Sequence, residues 1–137
     1  MKSILYAWVL TLLFPAYGWA IDADTASVDV LAKTTSSWNG NQLPAYLNGQ
    51  PEITILKIII PPKTALPLHE HPVINAGVLL KGELTVISKD NQILHLKAGD
   101  PIVEVVNTWH YGKNEGDVPA EIIVFYAGIK GEPITIQ

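Results

Sequence analysis

Short apolar runs separated by turn residues dominate the chain from residue 53 onward. They are rich in Ile, Val and Leu, and pairs such as Lys81-Gly82 and Asp90-Asn91 stand between them. None keeps a helical period, and short runs at this spacing are typical of strands in β-sandwiches and β-barrels. The pattern predicts one all-β domain with strands at residues 53–60, 66–71, 77–80, 83–88, 93–97, 102–106, 109–112, 120–126 and 134–136.

The first twenty residues follow a different pattern. Lys2 gives a positive start, residues 4–20 carry no charge, and small residues precede a cut after Ala20. These are the features of a secretory signal peptide. A membrane anchor is the alternative, but the apolar run is short for a full span and Pro15 interrupts its helix. We therefore expect a cleaved signal peptide and a periplasmic or secreted bacterial protein.

The remaining chain divides into two parts by composition. Residues 21–35 contain three aspartates and mostly small residues, which indicates a loose segment. Residues 36–137 hold all the predicted strands and form the expected barrel domain. No later run is apolar enough to span a bilayer, so we expect no membrane contact after cleavage.

Charge and cysteine content exclude several classes of function. The formal net charge is −4, and the nine basic residues are all lysines. A mildly acidic chain without arginine or a basic run argues against nucleic acid and anionic membranes as partners. The chain has no cysteine, which excludes a disulfide scaffold and thiol chemistry. A small-molecule ligand is the expected partner, and pairing through an edge strand leaves a homodimer open.

Two of the four histidines, His69 and His71, lie two positions apart. Residues two apart on a strand point to the same face, so both imidazoles can converge on one point inside a barrel. Imidazole is the commonest metal-binding side chain, and two converging rings begin a metal site. A chance pair on the surface is the alternative interpretation.

The surrounding residues resemble the cupin superfamily, in particular its small single-domain members. The first cupin motif reads G(X)5HXH(X)3-4E(X)6G, and His69, His71 and Gly82 occupy its histidines and closing glycine. The second reads G(X)5PXG(X)2H(X)3N, and this chain matches it at Gly99, His110 and Asn114. The resemblance implies a jelly-roll β-barrel with a metal site inside.

Four positions depart from these motifs. Lys63 stands at the first glycine, and Val105 and Asn107 replace the proline and glycine of the second motif. Asn107 tolerates a positive φ better than most residues, so that turn can survive. Asn75 replaces the glutamate, and a neutral amide is a poor metal ligand. We expect Asn75 to hydrogen-bond a ligand or a metal-bound water instead.

The resemblance implies that His69, His71 and His110 are the metal ligands. The metal is a divalent transition ion (Fe, Zn, Ni, Mn or Cu), because imidazole suits all of these. Glu104, a carboxylate in an otherwise apolar run, faces either solvent or the site. Its facing stays open because the turn at Asn107 breaks the strand period. If it faces the site, Glu104 is a candidate general base or a partner of the ligands.

The other candidates have simpler interpretations. We expect His95 to be an exposed strand residue and Trp109 and Tyr111, which flank His110, to face away from the cavity. The aromatic residues Trp38, Tyr46 and Tyr126 either line the pocket mouth or pack in the core, and packing is favoured.

Two functions remain open, since a fold does not imply a function. The first is a metal-dependent enzyme of dioxygenase or isomerase type acting on a small, oxygen-rich substrate. The second is a non-catalytic module that binds a small ligand or a metal. An open metal face beside a polar pocket favours the first, and a narrow apolar interior favours the second.

Overall fold

The computed structural model describes residues 25–137. Two antiparallel sheets of four strands each form the domain. The strands are β1 (Pro51–Ile60), β2 (Thr64–Ala65), β3 (Ile74–Lys81), β4 (Glu83–Ser88), β5 (Ile93–Lys97), β6 (Pro101–Val103), β7 (His110–Asn114) and β8 (Ala120–Ile129). One sheet has the order β1-β8-β3-β6 and the other the order β2-β7-β4-β5. The all-β jelly-roll prediction is therefore confirmed.

The alternation of side chains along the strands places the core between the two sheets. In β8 the buried positions recur at every second residue, and Ala120, Ile122, Val124 and Tyr126 all point inward. Leu84 and Val86 of β4 belong to the same cluster from the other sheet. Full burial of one such aliphatic side chain contributes about 1.5–3 kcal/mol, so this cluster supplies much of the stability.

The turn at Gly82 requires glycine for two reasons. Its φ is +75°, a left-handed conformation that side chains disfavour, and a Cβ would lie 2.7 Å from the carbonyl oxygen of Pro119. This close approach lets β4 follow β3 directly although they belong to different sheets.

Among residues 25–137, three residues other than glycine have a left-handed conformation, and two of them bear on the motifs. Lys63 has φ 56° and Asn107 has φ 50°. Both stand where the motifs of the resembled family have glycine, so the backbone requirement persists although the residue has changed. The expectation that the turn at Asn107 survives is confirmed.

The predicted strand at residues 66–71 is wrong as a regular strand. Pro67 and Pro72 cannot donate backbone hydrogen bonds, so no continuous ladder forms across this segment. Isolated bridges pair His69 with His110 and Glu70 with Ile136 instead. The predicted strand at residues 134–136 is likewise reduced to the single bridge at Ile136.

Other strand boundaries differ by a few residues. β3 begins at Ile74, earlier than predicted, and β8 continues to Ile129. β6 ends at Val103, so Glu104 lies just beyond it, although the predicted strand at residues 102–106 included this residue. Residues 25–34 are exposed and form no strand, and the predicted signal peptide lies outside the described residues. Within residues 25–137 no helix is long and apolar enough to span a membrane.

Candidate metal centre

Three histidines from two separate parts of the chain meet inside the barrel. Each of His69, His71 and His110 offers one ring nitrogen, and these nitrogens all lie within 4.8 Å of one another. The ring centroids are 4.5 to 5.1 Å apart. His71 and His110 are buried, and His69 is half-buried. The convergence predicted from the His-x-His spacing is therefore present.

The backbone brings these histidines together. His69 and His110 exchange their backbone hydrogen bonds, while the next residue, Glu70, bonds to Ile136 on the other side. Successive residues that bond to segments on opposite sides are typical of an extended backbone. His69 and His71 therefore project to the same side, although no regular strand contains them. The carbonyl of His71 also accepts a 2.8 Å bond from the N–H of Asn107.

The Nδ1 atom of every histidine meets a backbone carbonyl. The partners of His69, His71 and His110 are the carbonyls of Pro67, Ile134 and Thr108, at 2.8, 2.9 and 2.8 Å. A carbonyl only accepts hydrogen bonds, so each Nδ1 carries the proton and each Nε2 keeps its lone pair. Metal-ligating histidines are oriented in this way by a partner on the other ring nitrogen.

The electrostatics of the cavity keep the histidines neutral. Burial lowers the pKa of His71 to about 4, although its hydrogen bond to Ile134 acts in the opposite direction. Burial also lowers the pKa values of His69 and His110. Neutral imidazole is the metal-binding form, so at neutral pH no proton has to leave before a metal binds.

The cavity around the histidines is narrow, with a volume of about 50 Å³. This volume admits a few water-sized groups. Aliphatic side chains of β1, β4 and β8 form most of its wall, and the polar part of the lining consists of His69, His71, Asn75, Glu104, His110 and Tyr126. The interior is thus apolar with one polar end.

Glu104 faces this polar end and not solvent. Its Oε2 lies 3.6 Å from Nε2 of His110, and its side chain is only 12% exposed. Burial raises the pKa of Glu104 to about 7. The sequence left open whether Glu104 faces solvent or the site, and the solvent-facing interpretation is wrong.

Asn75 lies beside Glu104 and is 1% exposed. Its Nδ2 makes one long contact of 3.4 Å with the carbonyl of Val73, and its Oδ1 has no partner. The residue that replaces the glutamate of the first motif therefore points into the cavity, where that glutamate is expected.

Two aromatic residues lie near the site. From the sequence they could either line the pocket mouth or pack in the core. Tyr126 lines the cavity and packs edge-on against His71, with ring centroids 5.3 Å apart. Burial and the neighbouring Glu104 raise its pKa to about 12, so it stays neutral. The indole N–H of Trp38 has no hydrogen-bond partner, yet it lies close enough to Glu104 to lower the pKa of that carboxyl slightly against the larger effect of burial.

The remaining candidates lie elsewhere. His95 is exposed on β5, and neither Trp109 nor Tyr111 lines the cavity, as predicted. Tyr46 is 77% exposed, so core packing is wrong for this residue.

Asn114 has a structural role. Its Nδ2 donates to the carbonyls of Ile60, Pro61 and Val118, and its Oδ1 accepts from the N–H of Gly116. These bonds tie the end of β1 to the turn after β7.

The residues present fit a divalent transition metal. Three neutral imidazoles with anchored Nδ1 atoms form a donor set that suits such ions. Nε2 of His110, Oε2 of Glu104 and Oδ1 of Asn75 are all buried without a hydrogen-bond partner. Buried polar groups are almost always satisfied, so three unpartnered atoms in one cavity fit a site that binds a cation or a polar ligand.

Comparisons with known proteins agree with this description. The family described as "Cupin domain" matches residues 56–126 of the chain. No curated protein matches it.

Several solved structures share its fold. DMSP lyase DddQ from Ruegeria pomeroyi DSS-3 matches with a TM-score of 0.54 and 20% identity, over 61% of this chain and 42% of that protein. Oxalate decarboxylase from Bacillus subtilis matches with a TM-score of 0.53 and 21% identity, over 62% of this chain and 23% of that protein. The chain therefore spans less than half of the length of these proteins, and the likeness shows the fold alone.

Proposed function

The chain belongs to the cupin family, and on that basis we propose that it binds one divalent transition metal through His69, His71 and His110 and uses it on a small, oxygen-rich substrate. The observation that carries this proposal is the convergence of three ring nitrogens within 4.8 Å. Bound there, such a metal supplies Lewis acidity to an oxygen ligand and, if it is redox-active, electron transfer.

The residues around the histidines support catalysis of dioxygenase or isomerase type. Glu104 is placed to hold or accept a proton at Oε2, 3.6 Å from the nearest ligand nitrogen. Asn75 offers an unpaired Oδ1 that can orient a hydroxyl group or a water molecule. The aliphatic wall excludes bulk water, which strengthens these polar interactions.

A non-catalytic binding module is the second candidate, and the small cavity favours it. A volume of about 50 Å³ admits a metal with a few water molecules more readily than a metal with a substrate. Turnover of any small oxygen-rich substrate by the metal-loaded protein distinguishes the enzyme from the module.

We further propose that the protein works outside the cytoplasm. The uncharged run at residues 4–20 and the small residues before Ile21 support export. Amino-terminal sequencing of the periplasmic or secreted form should begin at Ile21. A full-length form found in membranes would contradict export.

Elemental analysis of untagged, gently purified protein tests the metal site directly. We expect about one equivalent of one transition metal per chain, lost in His69→Ala. The matched control is His95→Ala, which removes an exposed histidine outside the site. A folded wild-type protein that carries no metal and takes up none when metal is added would contradict the proposal.

A further inference from the structure

The β3–β6 ladder makes Asn75 and Glu104 neighbours. Ala76 pairs with Val103 at the end of this antiparallel ladder, and continuing the same register by one residue places Asn75 opposite Glu104. The backbone confirms the pairing, since the N–H of Glu104 donates to the carbonyl of Asn75 at 3.1 Å. Opposed residues in such a pair have Cβ atoms about 4.5–5.5 Å apart.

Both side chains of this pair enter the same cavity. Asn75 presents an unpaired Oδ1 and Glu104 an unpaired Oε2 to the polar end of the cavity. Within the described part of the chain, Glu104 is the one acidic residue that lines the cavity.

The carboxylate of Glu104 lies close to the histidine cluster but outside its compact core. Its Oε2 is 3.6 Å from Nε2 of His110. Two ligands of one metal with bonds near 2.1 Å are separated by roughly 3.0–3.4 Å. However, the potential ligand atoms that all lie within 4.8 Å of one another belong to the three histidines alone. Glu104 is therefore placed to act on a bound cation by its charge, at the edge of the ligand set.

We propose that Glu104 supplies the negative charge that the first motif has lost at Asn75, so that the carboxylate of this site has moved across one ladder from β3 to the end of β6. The inference rests on the proposed metal site. Three imidazoles leave the charge of a divalent cation uncompensated in an apolar cavity, which is costly unless an anion lies nearby. Glu104 is that anion, because a cation beside it favours the ionised form of the carboxyl group.

The shift of the carboxylate from β3 to the end of β6 also affects which ligands can reach the histidine cluster. A carboxylate at the edge of the cluster compensates charge without filling a position among the three nitrogens. With no carboxylate at position 75, the part of the cavity beside Asn75 would be free for an oxygen ligand, which the amide of Asn75 could hydrogen-bond.

Metal affinity tests whether Glu104 supplies the charge that is lost at position 75, and this test does not depend on catalysis. The dissociation constants of Mn²⁺ and Zn²⁺ are measured by titration calorimetry, with a competing chelator where binding is tight. Glu104→Gln keeps the shape of the side chain and removes its charge, and we expect 10–100-fold weaker binding.

The double variant Asn75→Glu/Glu104→Gln returns the carboxylate to β3, and we expect it to recover at least tenfold of that loss. Glu52→Gln, which removes an exposed carboxylate on β1, is the matched control and should bind as wild type does.

Circular dichroism and thermal unfolding of the metal-free variants exclude misfolding. Glu104→Asp, which keeps the charge on a shorter side chain, gives a second measurement and should bind between wild type and Glu104→Gln. Wild-type affinity in Glu104→Gln overturns the inference, as does a double variant no better than Glu104→Gln. If the wild type itself binds neither metal, the proposed function fails, and this inference fails with it.

Discussion

His69 and His110 exchange both of their backbone hydrogen bonds, with N···O distances of 2.9 and 2.8 Å. The pair joins two distant segments of the chain and holds their rings with centroids 4.5 Å apart. The site is thus assembled by backbone pairing and not by contact between the side chains. Loss of one imidazole should therefore remove a metal donor and leave the fold in place.

Metal addition should stabilise the wild-type protein and not His110→Ala. A metal present at about 100 times its dissociation constant stabilises the native state by about 2.7 kcal/mol. For a domain of this size, the unfolding temperature should rise by roughly 10 °C. Differential scanning fluorimetry with and without Zn²⁺ measures the shift. His95→Ala should keep the shift, and an equal shift in His110→Ala would exclude that histidine as a ligand.

Asn114→Ala should weaken the fold and leave the metal affinity nearly unchanged. The substitution leaves the carbonyls of Ile60, Pro61 and Val118 without the amide that satisfies them. An unsatisfied buried polar group costs about 1–3 kcal/mol, so we expect a total loss of roughly 2–4 kcal/mol. Urea unfolding measures this loss, with exposed Asn41→Ala as the control. A stable variant that binds metal poorly would assign Asn114 to the site instead.

Two substitutions at Asn107 should differ in their effect on stability. With φ at 50°, this residue occupies a conformation that glycine adopts freely and alanine disfavours. Asn107→Ala should therefore destabilise the protein by about 1 kcal/mol, and Asn107→Gly should be neutral or slightly stabilising. Urea midpoints of the two variants decide the matter, and equal midpoints would mean that the turn relaxes to a negative φ.

The sequence predicted best those elements whose boundaries are marked by local turn residues. β4 and β5 begin and end where predicted, because Lys81-Gly82 and Asp90-Asn91 mark their ends. The run at residues 66–71 has the apolar composition of a strand, but with Pro67 inside it and Pro72 directly after it only isolated bridges form. Composition predicts extended backbone there correctly, and the lack of N–H donors decides that no ladder forms.

The spacing of residues along the chain predicted only part of the site. His69 and His71 converge because alternate residues of an extended backbone share a face. The facing of Glu104 depends on the register between β3 and β6, which places it opposite Asn75 when it is continued by one residue. A register between distant segments is a tertiary property, and no local pattern around residue 104 encodes it. Tyr126 belongs to the site for the same reason, because its strand pairs with β3 opposite Asn75.

The stability of the metal-free protein should depend on pH through Glu104. Its pKa is about 7 in the folded state against an ordinary value of 4.5, because burial disfavours the carboxylate. Between these values the native state holds a proton that the unfolded state has lost, so stability falls as pH rises. A shift of this size corresponds to a loss of roughly 3 kcal/mol by about pH 8.

Glu104→Gln isolates this contribution, since glutamine does not titrate and all histidines remain. His69, His71 and His110 are present in both proteins, so apart from the charge interaction of Glu104 with His69 their protonation contributes to both stabilities. The stability advantage of Glu104→Gln over wild type should therefore grow by roughly 3 kcal/mol from about pH 4.5 to pH 8. Urea unfolding in the presence of a chelator at several pH values measures it. A difference that stays constant with pH would mean that the Glu104 carboxyl reaches water and ionises normally, and its place beside the metal would then be wrong.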